Sequence, residues 1–311
     1  ILSSDYEDIT LNGVSDDDLG TYTKFEYKTF NDYKWRVPFV GASFNEGLKT
    51  DKKDQKASYL YGEKELKYVT RIITKTHVAF IDLEDRNDGC GVVGKNGGIN
   101  PSGTRMKRIK TIRLYSKPEI TTGSLIYDPG INSNVKPIKT AHFEYDYSLC
   151  PGIENSVNNQ GKLTLKKVYF TYRDSNMGKY TPYKFNYSSD NEIDNPNYIN
   201  PAYNPKSYDI WGNYKENAVT QQNQATTTNP QEFPYVNQDD DATQNANSRA
   251  WSLTSIELPS GGKIEIAYES DDYQYVQDKK AMQMFKVAGV YNRLDQEIEL
   301  TKLYGDIDGE A

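Results

Sequence analysis

The stretch TAHFEYDY at residues 140–147 alternates apolar or aromatic residues with polar ones along its whole length. A period of two places Phe143, Tyr145 and Tyr147 on one face of a strand and polar side chains on the other. A strand of this kind buries one face and leaves the other in water, which is typical of antiparallel sheets. The stretch therefore predicts a half-buried antiparallel strand.

The same pattern extends along the chain in both directions. Alternating residues, or runs rich in Val, Ile, Thr and Tyr, predict further strands at residues 23–27, 35–39, 68–81, 106–115, 162–172, 183–187, 251–258 and 263–268. Turn residues separate them: a cluster at 85–89 and a glycine-rich segment at 94–103 predict loops, and Ser260-Gly261-Gly262 predicts a hairpin turn. The sequence thus predicts a mainly β fold of antiparallel sheets with long loops.

One segment differs in composition from the rest. From Glu216 to Ser248 the chain has no Lys or Arg and is rich in Gln, Asn and Thr. Such a segment buries too little apolar surface to offset the entropy of ordering, so we predict a flexible Asn/Gln-rich loop at residues 216–250. Two arrangements fit it: an excursion from a single sheet, or a boundary between two domains.

Composition and charge argue against several classes of function. The 311 residues include 26 Tyr, 10 Phe and 3 Trp, which is enough aromatic surface for a folded β domain. The net charge of −7 removes the electrostatic basis for binding nucleic acid or an anionic membrane. Apolar runs such as 78–81 are far shorter than the ~20 residues of a spanning helix, so no direct membrane insertion is predicted. The chain begins at Ile1 rather than Met, and we expect a piece of a longer polypeptide.

Two cysteines and two histidines leave little scope for a metal centre. Cys90 and Cys150 lie beside Gly or Pro in predicted turns. They would pair in a disulfide if the protein is exported, and would otherwise be two unpaired, buried thiols. A zinc site that also used His77 and His142 would lack the closely spaced ligand pairs of structural zinc sites.

No catalytic or cofactor-binding residue emerges from the sequence. The H-x-E of His142 and Glu144 lacks the P-C-x-x-C partner of zinc deaminases, and on an alternating strand these two side chains share a solvent face. The chain has no G-x-S-x-G nucleophile turn and no phosphate-binding loop. A glycosidase needs two facing carboxylates, and the sequence singles out no such pair among its 44 acidic residues.

Two features of the loops suggest binding instead. Asp174 and Asn176 offer oxygen ligands for calcium, as do the acidic runs 16–18 and 239–241, although none completes a calcium loop with its closing Glu. Aromatic residues between 198 and 214 would form either a sugar-stacking platform or a plug at the edge of a sheet: Tyr198, Tyr203, Tyr208, Trp211 and Tyr214.

The order of motifs from residue 140 onward carries a resemblance to a known family. TAHFEYDY is followed by GKLTLKKVYFTY at 161–172, YTPYKFNY at 180–187, DIWGNY at 209–214 and LTSIELPSGGKIEIAYE at 253–269. This succession resembles the segment that precedes the YD repeats in very large bacterial rearrangement-hotspot (RHS) proteins and SpvB/TcB-type proteins. There, a D-x-W-G-x-Y turn is followed by an L-T-x-I-x-x-P-x-G-G hairpin in the same order.

The resemblance implies an architecture. In that family, Tyr-rich sheets wind into a hollow shell that can enclose a toxic polypeptide, and the members are secreted or displayed on the cell surface. It implies an RHS-like β segment at 140–311, after an N-terminal β-rich region of unknown family at 1–139, in a β shell or a sandwich- or propeller-like assembly. Residues with structural roles would be Trp211 and Gly212 in a packed turn, Gly261 and Gly262 in a hairpin turn, and Tyr145 and Tyr147 in a strand.

We therefore expect a non-catalytic, structural part of a large secreted or cell-surface protein without a cofactor. Its partners would be the rest of its own polypeptide or assembly, and an enclosed effector or a surface glycan. Two alternatives are kept. One is an adhesin-like module that binds carbohydrate or protein, with calcium ordering its loops; the other is a glycan-processing enzyme on a β scaffold.

Overall fold

A computed structural model describes most of the chain. The described residues are 1–41, 58–123, 125–130, 134–187, 200–221, 224–227, 235–236, 240–273, 275–276, 279–280, 290–291 and 298–299. They form seventeen strands, one α-helix and three short 3-10 helices.

The strands in chain order are β1 (Thr23–Val37), β2 (Leu60–Thr74), β3 (His77–Val92), β4 (Ile99–Ser116), β5 (Thr121–Thr122), β6 (Leu125–Ile126), β7 (Lys139–Asp146), β8 (Thr164–Thr171), β9 (Tyr183–Tyr187), β10 (Ala218–Gln221), β11 (Gln224–Thr227), β12 (Leu253–Glu257), β13 (Lys263–Glu265), β14 (Tyr275–Val276), β15 (Lys279–Lys280), β16 (Val290–Tyr291) and β17 (Ile298–Glu299). Helix α1 (Asp241–Ser248) lies between β11 and β12. The 3-10 helices are Lys117–Ile120, Val157–Asn159 and Met177–Tyr180.

Nine strands form one antiparallel sheet in the order β1-β2-β3-β4-β7-β8-β9-β12-β13. The remaining strands pair in twos: β5 with β6, β10 with β11, β14 with β15, and β16 with β17. Most neighbours in the large sheet are also consecutive along the chain, as expected for hairpin connections. The prediction of a mainly β fold of antiparallel sheets is confirmed.

Residues 23–27 and 35–39 were expected to form two strands, and most of them belong to one. β1 runs without a break from Thr23 to Val37, and its pairing with β2 shifts register at residues 26–27 and 30–33. Irregularities of this kind increase the local twist while the strand keeps its partner.

Residues 68–81 were expected to form one strand, and they contain a hairpin turn. β2 ends at Thr74 and β3 begins at His77. The His77 N–H donates to Thr74 Oγ1 at 3.0 Å, and this hydroxyl donates to the His77 carbonyl at 3.1 Å. A threonine side chain closes this turn, and the sequence there has no Gly, Pro or Asn to signal it.

The predicted turn at 85–89 is instead a large irregular bulge inside β3. Asp85 pairs with Lys107 and Cys90 with Arg105, so that four residues of β3 lie opposite a single residue of β4. Turn-forming residues suit such a bulge because its extra residues leave the ladder and need other hydrogen-bond partners.

One face of the nine-stranded sheet, here the core face, carries the main hydrophobic cluster. Tyr115 is fully buried and meets the ring of Phe80 edge-on, with ring centroids 5.8 Å apart. The cluster consists of Tyr22, Ile73, Val78, Phe80, Tyr115 and Ile120, with Ile126 and Val135 packed against it. Loop residues before β1 and after β4 therefore cover this side of the sheet.

The opposite face is apolar across all nine strands, and we call it the open face. Side chains that lie directly opposite one another in an antiparallel ladder share a face. The pairings place on the open face Phe25, Ile72, Ala79, Ile81, Ile112, Leu114, Ala141, Phe143, Val168, Phe170, Tyr183, Phe185, Ile256 and Ile264. Each of these side chains is half-buried or exposed, whereas Thr111, Arg113 and Tyr115 on the core face of β4 are buried.

The chain divides into two compact units. Unit 1 comprises Ile1–Pro205 and Arg249–Tyr268, and it contains the nine-stranded sheet; unit 2 comprises Lys206–Ser248 and Glu269–Ala311. The expected division at 139/140 falls inside the sheet, where Ile112 of β4 pairs with Ala141 of β7. β9 and β12, which flank the Asn/Gln-rich segment, also pair with each other. The sheet is thus continuous across the segment, as in the first of the two predicted arrangements, an excursion from a single sheet.

Secondary structure is present where a flexible loop was predicted at 216–250, and this corrects the prediction for part of the segment. β10 and β11 form a short hairpin, and α1 follows. The Asp240 side chain accepts the Thr243 N–H at 3.1 Å and the Thr243 hydroxyl at 2.7 Å. Asp240, which lies within the predicted flexible loop, therefore caps a helix, as Asp does at helix N-termini.

Candidate functional site

The D-x-W-G-x-Y motif forms a tight hairpin in unit 2. The Asp209 N–H donates to the Asn213 carbonyl at 2.9 Å, and the Gly212 N–H donates to the Asp209 carbonyl at 3.1 Å. Gly212 has a φ of 87°, in the left-handed region. This is the three-residue hairpin loop in which a turn is followed by a left-handed glycine.

A buried carboxylate holds this hairpin from within. Asp209 is 4% exposed, and its Oδ1 accepts the backbone N–H of Trp211 at 2.9 Å and of Asn213 at 2.8 Å. Asp side chains commonly bond the backbone two residues on in turns. Within the motif, Asp209 thus binds the backbone of the turn, and Gly212 adopts the left-handed conformation that the turn requires.

The tip of the hairpin presents a half-exposed aromatic cluster. The ring of Trp211 lies 5.5 Å from that of Tyr235 and 5.1 Å from that of Tyr273, between centroids. Trp211 is still 55% exposed, and its neighbour Ile210 is 58% exposed. The expected packed turn at Trp211 and Gly212 is therefore packed on one side of the indole and open on the other.

The other aromatic residues expected in a platform are dispersed. Tyr208 and Tyr214 bridge the two arms of the same hairpin. Tyr203 belongs to unit 1, where its N–H donates to the Pro151 carbonyl at 2.8 Å and burial raises its pKa. Tyr198 lies outside the described residues. Among the described residues, the structure thus brings Trp211 together with Tyr235 and Tyr273, two rings that the prediction did not include.

The base of the hairpin contains a buried amine and a buried amide. Lys215 and Asn217 are 2% and 1% exposed, and Lys215 Nζ donates to Asn217 Oδ1. Burial lowers the pKa of Lys215, and the charge of Asp209 opposes this shift.

The P-S-G-G hairpin between β12 and β13 uses the same loop geometry. The Leu258 N–H donates to the Gly262 carbonyl at 2.8 Å, and the Gly261 N–H donates to the Leu258 carbonyl at 2.9 Å. Gly261 has a φ of 86°, whereas Gly262 does not lie in the left-handed region. The predicted hairpin turn is present, and of its two glycines only Gly261 adopts the left-handed conformation.

Tyr145 and Tyr147 lie beside the bulge of β3. The Arg108 guanidinium stands over both rings, 5.1 Å from the centroid of Tyr145 and 5.6 Å from that of Tyr147. The Tyr147 hydroxyl accepts the Asn87 N–H at 2.9 Å and an Arg108 N–H at 3.2 Å. These two tyrosines therefore connect β7 to β3 and β4.

The bulge is fixed by a buried ion pair. Asp88 accepts two hydrogen bonds from Arg86, at 2.9 and 2.6 Å, and one from the Leu163 N–H at 3.0 Å. Burial raises the pKa of Asp88, but Arg86 and the Leu163 N–H outweigh burial, and the pKa is lowered overall.

Cys90 and Cys150 are both free and buried, so the disulfide considered for them is not formed. Cys90 ends the bulge, where its N–H donates to the Asn155 carbonyl at 3.2 Å. Burial raises the pKa of both thiols and so favours their protonated form. The alternative of two unpaired, buried thiols is the one that the structure contains.

Arg113 on β4 makes the densest polar contacts of the core face. All five of its N–H groups are engaged: Nε and Nη2 bind Asp82 at 2.7 Å each, Nη1 and Nη2 bind Asp128 at 2.9 and 3.0 Å, and Nη1 also binds the Tyr115 hydroxyl at 3.1 Å. The pKa of Asp128 is raised by burial, yet lowered overall by Arg113 and the Gly130 N–H. Asp82 and Asp128 thus both bind the Arg113 guanidinium.

His142 and Glu144 share the core face but have separate partners. His142 stacks on Tyr169 with centroids 4.5 Å apart, and its Nε2 lies 2.8 Å from Thr171 Oγ1. Glu144 pairs with Lys167 at 3.0 Å on the surface. His142 and Glu144 thus contact the residues opposite them on β8, Tyr169 and Lys167, and not each other.

The loops considered for calcium differ in what their oxygens contact. Asp174 and Asn176 are exposed in a short turn closed by Tyr172 and Ser175. Asp16 Oδ1 accepts Lys117 Nζ at 2.5 Å and the Tyr22 hydroxyl at 2.6 Å. Among the described residues, no group of three or more His, Cys, Asp or Glu side chains is placed to hold a metal ion.

Sequence reasoning missed Asp88, Arg113 and Lys215. Arg113 falls in the polar phase of an alternating strand, which normally faces water. Lys215 directly follows the D-x-W-G-x-Y motif, and Asp88 lies in a cluster that was interpreted as a turn. No local pattern distinguishes these buried charges from solvated ones, because their burial depends on residues from other parts of the chain.

No family model, curated protein or solved structure matches the chain. Within the described residues, no helix is long and apolar enough to cross a membrane.

Proposed function

We propose that this chain is a non-catalytic structural segment of a large secreted or surface-displayed protein of the RHS type, and that its nine-stranded sheet forms part of a wall. The single observation that carries the proposal is the open face, which is apolar from Phe25 on β1 to Ile264 on β13. A sheet face of this size normally packs against another layer. In a wall, the rest of the polypeptide or an enclosed effector would supply that layer.

The way the open face is partly shielded also supports the proposal. Lys139 Nζ lies 3.9 Å from the ring centroid of Phe170, and Lys166 Nζ lies 5.5 Å from that of Tyr187. The stems of such lysines cover apolar surface while their charged ends reach water. Lysine side chains in this position suit a face that is in contact with water before assembly and with an apolar layer afterwards.

The charges of the core face support a structural role in another way. Arg113, Lys184 and Lys117 are engaged by carboxylates, in the pairs Arg113–Asp82, Lys184–Glu257 and Lys117–Asp16. These pairs join β4 to β3, β9 to β12, and the 3-10 helix after β4 to the loop before β1.

Hydroxyl-radical footprinting of the isolated chain and of the full natural polypeptide tests this function. We expect Tyr183 and Phe170 of the open face to be labelled in the isolated chain and protected in the full polypeptide. Tyr169 on the core face is the internal control and should be labelled equally in both. Equal labelling of Tyr183 in the two samples would remove the wall as the function of this sheet.

A second function is favoured by one observation: the exposed indole of Trp211 beside Tyr235 and Tyr273. Rings presented in this way can stack on sugars or anchor a protein partner. A glycan array probed with the chain, with and without calcium, tests this surface module. Binding that is lost in Trp211→Ala and kept in Tyr180→Ala, a change at another exposed aromatic residue, would support it; silence of the wild-type chain would oppose it.

A further inference from the structure

The base of the W-G hairpin brings a lysine amine against an asparagine amide in a dry environment. The Lys215 N–H donates to the Ser207 carbonyl, so the chain after the tip returns alongside the chain before it. In an extended arm, residues two apart point to the same side. This places Lys215 and Asn217 side by side, each almost completely buried.

The amide of Asn217 is held in one orientation. Its Nδ2 donates to the Lys206 carbonyl at 2.6 Å and to the Tyr208 carbonyl at 3.1 Å, which are acceptors only. Its Oδ1 must therefore point the other way, where it accepts a hydrogen bond from Lys215 Nζ. The amine nitrogen and the amide carbonyl group thus lie in direct contact, with both groups fixed by their surroundings.

Lys117, also buried, has a carboxylate as its partner, whereas the contact between Lys215 and Asn217 is with an amide. Lys117 Nζ is bound to the carboxylate of Asp16 at 2.5 Å, and despite burial its pKa is raised by Asp16 and Tyr22. Lys215 contacts a neutral amide, and burial lowers its pKa. Burial favours the neutral amine of Lys215, which has the lone pair that a nucleophile requires.

We propose that Lys215 and Asn217 are joined by an intramolecular isopeptide bond. The Nζ lone pair attacks Cγ of Asn217 and forms the new Nζ–Cγ bond. One proton moves from Nζ to Nδ2, the Cγ–Nδ2 bond breaks, and ammonia leaves. The reaction exchanges one amide for another and consumes no oxidant, reductant or other reactant.

The surroundings assist this reaction by position and charge. Holding the two groups in contact removes the entropic cost of bringing them together. Positive charge develops on Nζ during the attack, and the buried carboxylate of Asp209, whose charge already acts on Lys215, stabilises it. The resulting ring would fix the base of the hairpin that presents Trp211.

Peptide mapping of the wild-type chain tests the bond directly. Residues 216–248 contain no Lys or Arg, so trypsin normally releases 207–215 and 216–249 as separate peptides. An acylated Lys215 resists trypsin, and we expect a single peptide 207–249 that is lighter by one ammonia. Tandem mass spectrometry should assign the lost ammonia to Asn217, and the intact denatured chain should show the same deficit.

Two variants separate the bond from other losses of ammonia. Lys215→Arg keeps a cation, and Asn217→Ala removes the acyl group; both should have the mass of their sequence and be cleaved by trypsin after position 215. The wild-type result decides the proposal even if a variant misfolds. A wild-type chain with its full sequence mass and complete cleavage after Lys215, when freshly purified and after long incubation at mildly alkaline pH, would overturn it.

Discussion

At the scale of single residues, each of the two glycine turns depends on one position. Gly212 and Gly261 have φ values of 87° and 86°, where an L side chain is strained. Gly262 follows Gly261 but is not in that region, and an added Cβ would lie 3.7 Å from its nearest neighbours, in ordinary contact. Adjacent glycines in one motif therefore have different tolerance to substitution.

Gly261→Val should destabilise unit 1 by about 1–2 kcal/mol, because a β-branched residue there is forced into the left-handed region. Gly262→Val is the matched control and should cost less than about 0.5 kcal/mol. Urea denaturation followed by circular dichroism measures both. Equal losses for the two variants would contradict the assignment of the turn.

Arg113 is the residue whose removal should cost most. Its side chain is 4% exposed, and substitution leaves Asp82 and Tyr115 without their main partner. We expect Arg113→Met to destabilise the fold by about 3–5 kcal/mol, as for other broken buried ion pairs. Asp128→Asn should cost less than about 1 kcal/mol, because Asp128 is 45% exposed. Thermal or urea unfolding that ranks the two variants in the reverse order would refute this prediction.

At the scale of elements, the bulge of β3 joins the strand to a distant loop. Asp88 binds Arg86 and the Leu163 N–H, and its carbonyl accepts Asn155 Nδ2 at 2.8 Å. Asn87 and Asp88, two of the four residues that leave the ladder, thus form hydrogen bonds with residues 155–163. The bulge is held by these tertiary contacts together with the Arg86–Asp88 pair inside it.

The carboxylate of Asp88 should make stability depend on acid pH. Its pKa is lower in the folded state than the ~3.9 of an unfolded Asp, so its stabilisation is complete above about pH 5 and is lost as the pH falls through the folded value. Unfolding free energies of wild type and Asp88→Asn, measured by urea titration from neutral pH to about pH 3, should therefore converge as the pH falls. A constant difference across this range would show that the ionised carboxylate is not what stabilises the bulge.

At the scale of the whole molecule, residues 206–248 are an insertion whose two ends are tied together in unit 1. The Trp251 N–H donates to Asn200 Oδ1 at 2.7 Å, and its Nε1 donates to the Pro201 carbonyl at 2.8 Å. The chain therefore leaves and re-enters unit 1 at nearly the same place. Insertions with adjacent ends are the kind that folds tolerate.

Replacing residues 206–248 with a short Gly/Ser linker should leave the nine-stranded sheet folded. We expect a change of less than about 1 kcal/mol in the free energy of unfolding of unit 1, because a shorter loop adds little closure entropy. Far-UV circular dichroism and a cooperative urea transition measure this. Deletion of 249–268 instead removes β12 and β13 and should abolish the cooperative transition; loss of cooperativity in the linker variant would contradict the prediction.

Local sequence allowed several elements to be predicted and hid others. The alternation at 140–147 predicted β7, and the turn residues Pro259 to Gly262 predicted the hairpin between β12 and β13. Both predictions were possible because each pattern lies within a few consecutive residues. The turn after Thr74 escaped prediction because one hydroxyl closes it, and the bulge at 85–89 resembled a turn because both need residues that leave a ladder. Of the residues expected to matter, Gly212 and Gly261 have the conformations that glycine permits. Arg113, Asp88 and Lys215 could not be found, because each is defined by partners far along the chain or by burial.

The sequence by itself determined the fold class and the positions of two glycine turns. Period-two alternation and the left-handed conformation of a turn glycine depend only on neighbouring residues, so the sequence alone indicates them. Only the tertiary structure decided which face of each strand is buried, that β9 and β12 pair across the insertion, and that Lys215 contacts Asn217 in a dry site. The physical reason is that burial and electrostatic environment depend on the surrounding atoms, which come from residues that no local pattern connects.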